Sequence, residues 1–137
     1  LCDAVHRNDA VAIRSLVEGG APGWVPVRND RTLLNVATKV SNRSEAMLAL
    51  LDLGCDPNVP DIHGNRPLHH VATRGHADGV ALLIIFEADI EAVNNWCESA
   101  LMCAARQGHE SVTRVLLGAG ADTEAPNMAG NTALILA

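Results

Sequence analysis

The chain has 137 residues, 48% of them apolar, and a formal net charge of −6 at pH 7. No apolar stretch approaches the roughly 18 residues of a membrane-spanning helix, and the overall acidity opposes nucleic-acid binding, which needs a broad basic surface. With one Phe and no Tyr, the composition suits thin stacked helices with Ala, Leu and Val cores better than a compact globule.

Leu1, Leu34, Leu68, Leu101 and Leu134 recur at spacings of 33, 34, 33 and 33 residues. A period of this length marks an array of small units. The first unit opens inside a helix containing Leu1 and Ala4 that should end at Asn8, and its second helix carries Ile13, Leu16 and Val17 before Gly20. In the next unit a turn through Arg28 and Arg31 leads into a helix starting at Thr32, whose hydroxyl can cap it, and Asn42 should close that helix. This unit is one residue longer, and the segment from Thr38 to Asn42 places the insertion between helices, where it costs little. Its second helix sets Met47, Leu50 and Leu51 on one apolar stripe and ends at Gly54.

The third unit turns at Gly64 and has Pro67 at the first helical position, where the missing N–H has no partner to lose. Arg66 replaces the capping hydroxyl, which predicts a weaker helix start. Gly75 should close this helix, and Gly108 its counterpart, in the left-handed conformation. The second helix carries Val80, Leu83 and Ile84, with Gly79 costing about 1 kcal/mol relative to Ala. Glu87 stands where Gly20, Gly54 and Gly120 end the other second helices, so a positive φ there would cost on the order of 1 kcal/mol. The fourth unit starts its first helix at Ser99 and lines its second with Val115, Leu116 and Leu117 beside a polar Thr113. Gly130, Thr132 and Leu134 open a fifth. The apolar run Ala133, Leu134, Ile135, Leu136 and Ala137 suggests further repeats or another domain on at least one side.

The third unit reads Asp61-Ile62-His63-Gly64-Asn65-Arg66-Pro67-Leu68-His69-His70-Val71-Ala72-Thr73-Arg74-Gly75-His76, followed by Ala88 and Asp89, and it resembles the ankyrin repeat. The fourth carries the same marks in Ala104-Ala105, Gly108-His109 and Gly120-Ala121-Asp122. The resemblance covers essentially the whole chain. It implies an all-α solenoid of stacked helix-turn-helix units with hairpin-like fingers, forming one domain: a partial repeat over 1–24, repeats over 25–59, 60–92 and 93–125, and the start of another over 126–137.

Cys2, Cys55, Cys97 and Cys103 lack paired spacing, so neither a zinc site nor a disulfide framework is indicated. Cys55 and Cys103 fit small core positions, and free thiols suit an intracellular, reducing compartment. The resemblance implies that His69 bridges backbone groups of neighbouring turns and that His76 and His109 start second helices. No nucleophile elbow, phosphate loop or paired-acid motif accompanies the histidines, so no catalytic residue, metal or cofactor is expected.

Function should then lie on the face that varies between copies. The resemblance implies that this face is made of the fingers and the exposed side of the first helices. It collects Arg7, Arg28, Arg31, Lys39, Arg74 and Arg106, with Glu98 as the clear acid, while Glu18, Glu45, Asp52, Asp78, Glu110 and Glu124 map elsewhere. A basic groove on an acidic body follows. The candidate partner-binding residues are Arg28, Arg31, Lys39, His63, Arg74, Trp96 and Arg106, with Trp96 as an anchor because Trp and Arg dominate binding hot spots. Ile85 and Phe86 are a secondary apolar contact. Asn58 resembles the asparagine that intracellular hydroxylases modify in ankyrin repeats. The leading expectation is a non-enzymatic protein-protein interaction module holding an acidic or extended protein or peptide partner. The alternatives are a regulatory or docking domain of a larger enzyme, channel or ligase, and a structural scaffold subunit.

Overall fold

The structure, a computed structural model, describes residues 10–18, 26–27, 31–40 and 44–133. The elements run α1 (Ala10–Glu18), β1 (Pro26–Val27), β2 (Arg31–Thr32), α2 (Leu33–Val40), α3 (Glu45–Asp52), α4 (Pro67–Arg74), α5 (Ala77–Ile85), α6 (Ala100–Gln107) and α7 (Glu110–Gly118). The helices have only eight or nine residues. Isolated helices of that length are marginal in water, so they persist here through packing. They form two layers: α2, α4 and α6 stack side by side, and behind them α1 packs on α3 and α5 on α7. The result is an all-α solenoid.

The recurring leucines hold the layers together. Leu34, Leu68 and Leu101 from the first helices and Leu50, Leu83 and Leu116 from the second are fully buried in one continuous core. The first helices of the two neighbouring units are offset by 34 residues, from Leu34 to Leu68, and the second helices by 33, from Leu50 to Leu83. The extra residue therefore falls between α2 and α3. Asn8, Gly20, Trp24, Asn42 and Leu134 lie outside the described residues.

The local signals act as expected at most helix ends. Gly75 and Gly108 close α4 and α6 at φ 77° and 74°. Ser99 Oγ accepts the Met102 N–H at 3.4 Å. At α4 no hydroxyl caps the start; instead the Arg66 N–H donates to His69 Nδ1 at 3.1 Å, and Pro67 is buried at the first position. The start thus has its own substitute for the missing cap.

Glu87 adopts φ 65°, where Gly54 and Gly120 adopt 90° and 92°. Asn58 braces this turn: its Nδ2 donates to the Glu87 carbonyl at 3.3 Å and its Oδ1 accepts the Asp89 N–H at 2.7 Å. Gly79 has a packing reason, since an added Cβ would sit 3.1 Å from Val71 Cγ1. It lets α5 lie close on α4.

Two apolar readings are corrected. In α7 the buried stripe is Val112 and Leu116, one turn apart, while Val115 is half-buried and Leu117 is exposed. Three consecutive apolar residues cannot share one helix face, and the 4-residue spacing selects Val112. Ile85 and Phe86 also part: Ile85 is 74% exposed, whereas Phe86 packs against the core at the end of α5.

Candidate interaction groove

Each described finger is a short turn held from inside by one side chain. Asp61 Oδ1 accepts the N–H groups of His63 and Asn65 at 2.9 and 3.0 Å. Asn94 Oδ1 accepts those of Trp96 and Glu98 at 3.0 Å each, and Asn127 Oδ1 accepts those of Ala129 and Asn131 at 2.9 and 3.0 Å. The backbone closes the same loops through Asp61 to Asn65, Asn94 to Glu98 and Asn127 to Asn131. Asp and Asn suit this role because their short side chains bond to backbone two residues on. Successive fingers are also stitched together, as Asn95 N–H donates to the His63 carbonyl and Met128 N–H to that of Trp96.

Gly64 and Gly130 supply the positive φ of these turns at 74° and 79°, and Cys97 takes the same place at 58°. Cys97 is exposed, whereas Cys55 and Cys103 are buried, and burial pushes both of those thiols up. Its conformation was missed in the sequence, although its 33-residue spacing from both glycines is the signal that reveals it.

Between the fingers and the first helices lies a groove of about 530 Å³. Asn65, Trp96, Met128 and Ala129 form its finger side; His69, His70, Thr73 and Arg74 of α4, with Cys103 and Arg106 of α6, form the other. Arg74, Trp96 and Arg106 are thus brought together as the sequence suggested. His63 stands outside the lining but backs Trp96, with ring centroids 5.8 Å apart and planes tilted by 30°. Trp96 remains 49% exposed. Arg28 lies outside the described residues, and so do the side chains of Arg31 and Lys39.

The groove is not simply basic. Arg106 Nη1 donates to Glu98 Oε1, and His70 Nε2 to Asp61 Oδ2 at 2.9 Å. The pairs differ sharply in what they show to solvent: the Glu98 side chain is 10% exposed and that of Asp61 5%, while Arg106 is 44% exposed. Carboxylates are buried and guanidinium faces outward. Burial alone would raise the Asp61 carboxyl, but the His63 and Asn65 N–H groups and the adjacent His70 hold it below its usual range.

His69 lies deeper. Its Nδ1 accepts from Arg66, so Nε2 carries the proton and donates to the Glu98 carbonyl at 3.0 Å. Burial pushes this imidazole down, outweighing the carbonyl that favours its charged form. His109 Nε2 donates to the Thr73 carbonyl at 2.9 Å and joins the same two units from the other side. These histidines are structural bridges. Among the described residues no group of three or more His, Cys, Asp or Glu side chains is arranged to hold a metal ion.

A stack of helix pairs with hydrogen-bonded fingers defines a repeat protein that presents a groove. The family model described as ankyrin repeats, in three copies, matches residues 1–94 and 68–137, and the chain belongs to the ankyrin-repeat family. Ankyrin repeats are protein-protein interaction modules. The chain is 34% identical to human SH3 and multiple ankyrin repeat domains protein 2, over 96% of its own length and 7% of that protein. It is 31% identical to the Arabidopsis thaliana putative E3 ubiquitin-protein ligase XBAT35 over 85% of its length and 26% of the relative. With pig NF-kappa-B inhibitor alpha the identity is 32%, covering 69% of this chain and 32% of the other. The chain therefore spans less than a third of each of these relatives. No helix among the described residues is long and apolar enough to cross a membrane.

Proposed function

We propose that this chain is a non-enzymatic, intracellular binding module that holds an extended, acidic segment of a partner protein in its concave groove. The observation that carries this reading is the meeting of Arg74, Trp96 and Arg106 along one groove whose own carboxylates are buried. Exposed guanidiniums supply charge-assisted hydrogen bonds to carboxylates, and a half-exposed Trp supplies apolar contact area. Arg28, Arg31 and Lys39 extend the same basic face in the sequence register. The free thiols support the reducing compartment.

Affinity capture from cell extract, comparing the natural chain with an Arg74→Gln, Arg106→Gln, Trp96→Ala variant, tests the groove. Partners lost with the variant, at unchanged helicity, support it; identical partner sets sink it. A second reading, the docking part of a larger enzyme or scaffold, is favoured by the small share of each relative that the chain spans. That role would use the same groove, with any catalysis residing elsewhere in the parent protein.

A further inference from the structure

Arg106 is already engaged by a carboxylate of its own chain. Glu98 reaches it from the base of the finger, eight residues earlier, and the half-exposed guanidinium lines the groove. A guanidinium presents five donors in a planar fork, and the pair here uses Nη1 against Oε1. The geometry at Arg106 is thus one that a carboxylate satisfies. The structural bonds of Glu98 come from its backbone: its N–H donates to Asn94 Oδ1 and its carbonyl accepts from His69 and from the Asn94 N–H. Its carboxylate is bound up with the groove, not with the finger turn.

Next to this pair stands an apolar step. Trp96 and Met128 are both large, exposed and part of the groove lining, and the His63 ring lies against Trp96 from outside that lining. Indole and thioether surfaces favour bulky apolar side chains, the thioether adapting its shape to them. Among the described residues that line or back the groove, a basic occupant would find no accessible anion, since Asp61 and Glu98 are buried and paired.

Resting on the groove reading above, we propose that the occupant is an extended segment pairing acidic residues with a bulky apolar side chain, the apolar group seated on Trp96 and Met128. A carboxylate of the segment takes the place of Glu98 on Arg106. Glu98 is therefore a specificity-determining residue: as the resident anion it competes with every incoming one and lowers the affinity of the groove for acidic segments. Its removal strengthens binding, an effect that misfolding does not imitate.

The test is a selection of random dodecamer peptides displayed on phage against the natural chain, followed by titration of the selected peptides against Glu98→Gln, Arg106→Gln and Trp96→Ala variants. The expected peptides combine Asp or Glu with Leu, Ile, Met, Phe or Trp. Glu98→Gln tightens their binding several-fold, Arg106→Gln weakens it, and Trp96→Ala weakens it roughly tenfold or more. Selection of basic or charge-free peptides, no enrichment, or binding that Glu98→Gln leaves unchanged or weakens overturns the proposal. Peptides insensitive to both Trp96→Ala and Arg106→Gln overturn the groove reading itself, whereas charge-free peptides that remain sensitive to Trp96→Ala overturn only the acidic occupant.

Discussion

The imidazole of His69 donates its Nε2 proton to the carbonyl of Glu98 at 3.0 Å, tying the start of one first helix to the finger base of the next unit. The same ring accepts the Arg66 N–H through Nδ1, so one neutral side chain serves as cap and as bridge. At the matching positions the other units carry Asn35, whose side chain reaches the Val59 carbonyl at 3.4 Å, and Met102, whose side chain has no N–H to donate. His69 thus adds to this junction, which His109 on the Thr73 carbonyl and the Asn95 N–H on that of His63 also hold, a bridge that neither of these two units repeats.

His69→Ala removes both bonds and leaves the part-buried Arg66 N–H without its acceptor and the buried ring site empty. The expected loss is about 2–3 kcal/mol. Urea unfolding followed by circular dichroism measures it as a lower midpoint at similar slope. A loss below about 1 kcal/mol would show that water replaces the bridge at little cost.

Acid should weaken the fold in two stages. Burial lowers the His69 imidazole, and His76 is lowered too, by burial and then by Arg74 and His109. A lowered histidine is neutral when folded while the unfolded chain takes up a proton near its ordinary value of about 6.5. The contribution is therefore complete above that value and is lost as pH falls below it through the folded values. The Asp61 carboxyl is also lowered, so its share persists until pH falls below the ordinary value of about 3.9. Urea midpoints taken from about pH 8 to about pH 5 should decline in the natural chain and decline less in His69→Gln. Equal declines would assign the first stage to other groups.

Glu87 and Cys97 hold φ 65° and 58° where the neighbouring units use glycine. A non-glycine residue in the left-handed region costs roughly 1–2 kcal/mol, offset partly by the greater freedom of glycine when unfolded. Glu87→Gly and Cys97→Gly should each raise stability by up to about 1 kcal/mol, read as a higher melting temperature. The Asn58 bonds to residues 87 and 89 involve backbone groups there and survive the first change. A fall in melting temperature would mean that the side chains hold these turns.

Which features were readable in the sequence follows from their range. Leu68 and Leu101 declared the core, and Gly75 and Gly108 the helix ends, because period and turn chemistry are local signals. Asp61, Asn94 and Asn127 stand at the same 33-residue spacing, but their role is plain only once the finger backbone brings its N–H groups onto one oxygen. The charge of the groove was misjudged for a related reason. Counting Arg74 and Arg106 on one face says nothing of Glu98 folding onto Arg106, nor of His70 meeting Asp61, because both pairs form between a finger and a helix. The apolar run Val115, Leu116 and Leu117 shows the opposite failure, where a local signal was too dense to choose a face.

The Glu98 and Arg106 pair also determines how groove variants must be built. Arg106→Glu sets a second carboxylate against one that is largely buried, so it should cost stability, about 1–3 kcal/mol for a pair between the exposed and buried extremes. Glu98→Gln in the same chain removes the repulsion and should restore most of that loss, giving a coupling free energy of clear sign in a double-mutant cycle. Additive losses would mean that the two side chains do not interact in solution. Arg106→Gln avoids the repulsion altogether, so a binding defect in that variant reports on the groove, whereas the same defect in Arg106→Glu mixes lost recognition with a loosened finger.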